Sequence, residues 1–165
     1  MNAHRPQAPT GLPVDPHRRP PGAVARRWAV GLEAFTAVGA FAGVQGFLVG
    51  SFDSLVEQVS DTLAIVDGPV LPALALGLIV GVPHATALVL GLRHHPRAAE
   101  AGLAVGSLLT LWVVAQLPLI GWGSPVQWAF VAIGVAESAA SAVWLRHSRA
   151  TRTPAPVPDG PTGLG

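Results

Sequence analysis

Four runs of apolar residues, at 28–50, 70–92, 98–120 and 126–145, alternate along the chain with short polar stretches. Each is close to the ~20 residues an α-helix needs to cross the ~30 Å hydrocarbon core of a bilayer. The first run, WAVGLEAFTAVGAFAGVQGFLVG, holds a single ionisable side chain, Glu33. The connection at 91–97, containing Arg93, His94, His95 and Arg97, and the Gly-Pro turn at 121–125 are both short enough to join antiparallel neighbours. The pattern predicts an all-α protein, a transmembrane up-and-down four-helix bundle over 28–145. Residues 1–27, with six prolines and five arginines, and residues 146–165, rich in Pro and Gly, predict disordered tails, because they carry too little apolar surface to offset the entropy of ordering. The first run is too long for the apolar region of a signal peptide, so it is read as an uncleaved span.

Helical phase sets the polar groups inside these runs on particular faces. Glu33 shares a face with Ala37, Ala40, Val44 and Phe47; His84 with Ala73, Gly77 and Gly91; Glu137 with Phe130, Gly134, Ser141 and Trp144; Gln116 with Gly102, Val105, Leu109 and Trp112. Such seams point inward, and they place Glu33, His84 and Glu137 in one half of the bundle as a candidate intramembrane cluster. Gln45, Gln116 and Gln127 form a second polar layer near the other surface, with Gln45 about 120° around the helix from Glu33 and so off its file.

Close approach between helices falls to small residues. Gly39 and Gly43, Gly77 and Gly81, and Gly102 and Gly106 are each spaced by four, Gly134 stands four before Ser138, and Gly46 and Gly50 extend the first series. This spacing lets membrane helices pack without a hydrophobic drive between them, within the bundle or against a second copy. Pro83 removes a backbone donor mid-helix and predicts a kink beside His84. Between the first two runs, residues 51–69 carry Asp53, Glu57, Asp61 and Asp67, with Leu55, Val59 and Leu63 spaced by four. That stretch is either a short amphipathic helix on the membrane surface or a solvated connector capping the bundle.

Composition and charge orient the bundle. Only 12% of the residues are charged, well below a soluble domain, so the class is a multi-pass protein of the cell membrane. All ten basic residues are Arg and fall before the first run, between the second and third, or after the fourth. The positive-inside rule then puts both termini and the 91–97 loop in the cytoplasm. The arginines are too scattered, and too free of interleaved aromatics, for nucleic acid. There is no Cys, hence no disulfide or thiolate metal site. Trp28 and Trp144 near one boundary, and Trp112, Trp122 and Trp128 near the other, read as an interfacial belt.

Glu33, His84 and Glu137 could relay protons, or ligate a cation, or only fix helix register. No His-x-x-x-His or Glu-x-x-His spacing supports the cation, and no catalytic, nucleotide or cofactor signature appears. The first functional reading is therefore a non-enzymatic accessory or interaction subunit, whose partners are the lipid bilayer and another membrane protein or a second copy. The alternatives are a small-solute or proton-coupled transporter using the Glu/His cluster, and a membrane redox subunit.

The redox alternative comes from a resemblance. Arg26-Arg27-Trp28 followed by LEAFTAVGAFAG, with WVVAQLPLIGWGSPVQWAFVAIG across the third and fourth runs, resembles an abundant set of small four-helix membrane proteins of high-GC bacteria. The resemblance covers about 120 residues and implies the same four spans, without an established activity. The architecture is also loosely similar to DoxX-like proteins, which are linked to quinone-associated redox chemistry, although that family's motifs are missing.

Overall fold

The computed structural model describes residues 21–122 and 125–150, and among these there are five helices and no strand. The expectations of disorder for residues 1–20 and 151–165, and the middle of the turn at 123–124, lie outside the described residues. Helix α1 is Pro21–Leu48, α2 Asp53–Thr62, α3 Val70–Leu92, α4 Ala98–Ile120 and α5 Pro125–Ala150. Four of them, all but α2, are long and apolar enough to cross a membrane.

Two helices exceed their apolar runs. Helix α1 begins about two turns before Trp28, with Pro21 at its first position, where the missing N–H costs no hydrogen bond. The added turns are held from outside: Arg26 Nη2 donates to the Gly91 carbonyl (3.2 Å) and stands 3.0 Å from His94 Nε2. Helix α5 continues past Leu145 to Ala150, with His147 and Arg149 in its last turn, where positive charge complements the helix dipole. Part of each stretch read as a tail is therefore helix.

Helix α3 departs from regular geometry before Pro83. Residues Leu76–Gly81 form a π-helical segment in which the Val82 N–H donates five residues back, to Gly77. A proline ring clashes with the carbonyl four residues before it and offers that carbonyl no donor. Widening the preceding turn relieves both faults, so the expected kink takes the form of a π turn that delivers Val80 and Gly81 to the interior and sets His84 just beyond it.

The four long helices contact one another in a closed circuit, α1 with α3, α3 with α4, α4 with α5, and α5 with α1. The packing between α4 and α5, as extensive as that between α1 and α3, rests on missing side chains. A Cβ on Gly106 would stand 2.9 Å from the Ser138 backbone N, and one on Gly134 would stand 2.9 Å from the Gly106 backbone O. Gly43, Gly77 and Gly81 admit the side chains of Leu76, Val44 and Phe41 in the α1–α3 contact. Gly39 does not belong to this set. A Cβ there would meet nothing within 4 Å, because its side of α1 borders a cavity and not a helix.

An apolar core of Ala40, Val80, Leu109 and Val113 joins α1, α3 and α4, and Leu76, Trp112 and Phe130 pack around it. Trp112 thus faces inward and leaves the expected belt; Trp28, Trp122 and Trp128 are exposed. Phe35, Val38, Leu78, Leu111 and Val135 are exposed apolar side chains on the outer faces of the long helices. Gly50, at positive φ, turns the chain after α1 so that Phe52 lies over Gly46 and against the Phe47 ring, at a centroid distance of 5.1 Å. Helix α2 then runs with Leu55, Val56 and Val59 over the cavity and with Asp53, Glu57 and Asp61 exposed, the face a capping connector presents.

Candidate functional site

At the centre of the helix circuit five polar side chains lose all contact with solvent. Glu33 and Thr36 come from α1, His84 from α3, and Glu137 and Ser141 from α5; each is buried to within 1% of complete. Helix α4 contributes a gap instead of a side chain. A Cβ on Gly102 would stand 2.6 Å from Glu33 Oε1 and 2.5 Å from Ser141 Oγ, and one on Gly91 of α3 would stand 3.4 Å from Glu33 Oε2. The Glu33 carboxyl is therefore seated between two glycines, in space that any other residue would fill.

The imidazole of His84 is fixed from one side. Its Nδ1 lies 2.7 Å from the Val80 carbonyl, which can only accept, so Nδ1 carries hydrogen and donates. The other nitrogen, Nε2, stands 3.2 Å from Glu137 Oε2, close enough for an ion pair although angled away from a hydrogen bond. One proton held by the pair can sit on Nε2 or on the carboxyl, and the two placements differ by its movement across that gap. Glu33 lies within electrostatic reach of both members. The three groups that helical phase singled out thus meet in one place.

Two hydroxyls that the sequence reading did not assign to the cluster join it. Thr86, Ser107, Thr110 and Ser148 each donate to the carbonyl four residues back, the usual resting place for a hydroxyl within a helix. Thr36 and Ser141 do not: their oxygens are buried without a hydrogen-bond partner, as are both oxygens of Glu33 and of Glu137. Their spacing was the available signal, since Thr36 follows Glu33 by three and Ser141 follows Glu137 by four. Buried groups of this kind retain their full capacity to exchange protons or bind small polar species. They do not converge as a metal centre: among the described residues no three His, Asp or Glu side chains are placed to hold an ion.

The cluster is flanked on both sides. Toward the ends of α3 and α5, Gly91 packs beside the Glu33 carboxyl, and Arg26 joins the Gly91 carbonyl to the exposed ring of His94. Toward α2, Thr36 and Val80 form part of the floor of a cavity of about 980 Å³. The second polar layer divides. Gln127 is buried and lines this cavity, Gln116 lines it half-buried, and Gln45 is exposed, as its phase around α1 relative to Glu33 requires. Compared with known proteins, the chain matches no family model, no curated protein and no solved structure.

Proposed function

We propose that the chain is a multi-pass membrane protein, an up-and-down four-helix bundle with both termini in the cytoplasm, and that it couples proton binding at Glu33, His84 and Glu137 to passage of a small solute. The observation that carries this reading is the fully buried His84–Glu137 approach at 3.2 Å with a second carboxyl, Glu33, beside it. Ionisable groups are costly within hydrocarbon, and a cluster whose hydrogen-bonding capacity is unspent suits a proton that arrives and leaves better than a lock on helix register. Arg26 and His94 on one side and the cavity on the other lie where exchange across a membrane requires its two routes. The outward apolar side chains and the confinement of every Arg to three segments support the placement in the bilayer and its orientation. The accessory-subunit and redox readings draw on no particular side chain among the described residues.

The test uses purified protein in proteoliposomes with a pH dye inside. A potassium diffusion potential should drive proton uptake, and Glu33→Gln and Glu137→Gln should each lower it by about tenfold or more. The same substitutions should remove pH-dependent carboxyl bands from infrared difference spectra. Uptake and bands unchanged in both variants would sink the assignment.

A further inference from the structure

The cavity beside α2 has chemistry of its own. It lies between α1, α3, α4 and α5, under the apolar face of α2, and its volume of about 980 Å³ is at the upper end of the range for sites that enclose a drug-sized molecule. Phe47, Leu76, Val113 and Trp112 are among its walls, and no charged side chain lines it. Thr36, Gln116 and Gln127 are the polar residues among its lining. Gln127 is distinctive: it is only 8% exposed, and neither its amide nitrogen nor its amide oxygen has a hydrogen-bond partner. An amide in that position costs free energy unless a partner meets it, and it offers one donor and one acceptor side by side.

We infer that this cavity binds a neutral, largely apolar molecule with one hydrogen-bonding head, a hydroxyl or carbonyl, held at Gln127 while its apolar body lies among Phe47, Leu76 and Trp112. Charged ligands are disfavoured because nothing in the wall would offset their desolvation. Pro72, Leu76 and Val80, spaced by four, share the face of α3 that lines the wall. Phe52 and the Leu55, Val56 and Val59 face of α2 lie over the cavity. The inference goes beyond the proton-coupled reading and names a class of solute that the cavity would admit.

The test is photolabelling of the full chain in lipid nanodiscs with a long-chain primary alcohol carrying a diazirine, followed by mapping of adducts by mass spectrometry. Adducts should concentrate on cavity residues, saturate with probe, and fall at least about fivefold in excess unlabelled alcohol. Ala75→Trp, which fills the wall, should abolish the saturable fraction. Gln127→Leu, which keeps the bulk and removes the amide, should lower apparent affinity by about tenfold, in line with loss of one buried hydrogen bond. Labelling spread evenly over lipid-facing Leu78, Leu111 and Val135, or not saturable, would overturn the site. Saturable labelling indifferent to Gln127→Leu would overturn the assignment of the head group. A bilayer acyl chain as the occupant would show as phospholipid copurifying in native mass spectra, displaced by Ala75→Trp but not by the alcohol, and would likewise overturn it. The labelling uses no proton gradient, so failure here and failure of the proton-coupled reading are separately visible.

Discussion

The pair His84–Glu137 should behave as a unit, and a double-mutant cycle measures whether it does. At 3.2 Å and an effective dielectric near 20, unit charges attract by about 5 kcal/mol. Most of that attraction offsets desolvation of two fully buried groups, so the pair's net contribution to stability is small. Removing one member is different, because the survivor keeps its desolvation cost and loses its partner. His84→Leu and Glu137→Leu should each destabilise the bundle by about 3–5 kcal/mol. The double substitution, with leucines of similar volume facing each other, should return to within about 2 kcal/mol of the original, since apolar replacement of a whole buried pair is often neutral. Unfolding free energies measured by steric trapping in bicelles give all four corners of the cycle. Costs that simply add in the double variant would show that the two groups are not coupled, and the proton shared between them would lose its physical basis.

Other consequences can be checked with simple variants. Gly134→Ala sets a Cβ against the backbone of α4, which cannot yield without separating the helices, and should cost about 1–3 kcal/mol in the same assay; Gly39→Ala, with open space around it, should be neutral or stabilise by up to about 1 kcal/mol. Because the chain lacks Cys, single cysteines report topology directly: Asp61→Cys should react with an impermeant maleimide from outside intact cells and His95→Cys should not, and the reverse result would invert the proposed orientation.

Much of this arrangement can be read from spacing alone. Glu33, His84 and Glu137 stand on the same faces as small residues three, four or seven positions away, and small residues are where membrane helices meet, so the phases bring the three together. Thr36 and Ser141 are harder to anticipate, because a hydroxyl in a helix ordinarily satisfies itself on its own backbone, as Thr86 and Ser107 do. Gly39 misleads for a related reason: spacing by four identifies a row on α1 but not whether a neighbouring helix reaches that height. Trp112 resembles a boundary aromatic by depth, yet its face on α4 turns it into the core. Pro83 announces a distortion without saying which kind, and the choice of a π turn depends on what the widened backbone can deliver to the interior. The cavity is legible only in three dimensions, since its walls come from all five helices.

The distribution of small and large residues divides the bundle into two unlike halves, and the polar cluster lies where they meet. On the side of the chain ends, Gly91, Gly102, Gly106 and Gly134 bring helices into near contact, leaving room for carboxyl and hydroxyl groups but for little else. On the side of α2, Gly43 and Gly77 keep α1 against α3, while Phe47, Leu76, Trp112 and Phe130 line the cavity. Val80 belongs to both: it lines the cavity, and its carbonyl fixes the His84 ring that faces Glu137. A molecule pressing on that wall would act on the π turn, hence on the Val80 carbonyl, hence on the separation of His84 and Glu137. Energetic coupling between two sites needs an element that both sites bias, and Leu76–Gly81, bonded five residues back where a helix bonds four, is the segment that touches both. Restoring regular helix by deleting Ile79 should therefore weaken cavity labelling and proton uptake together, while Glu137→Gln should weaken only the second; independent responses to the deletion would separate the two sites and refute the coupling.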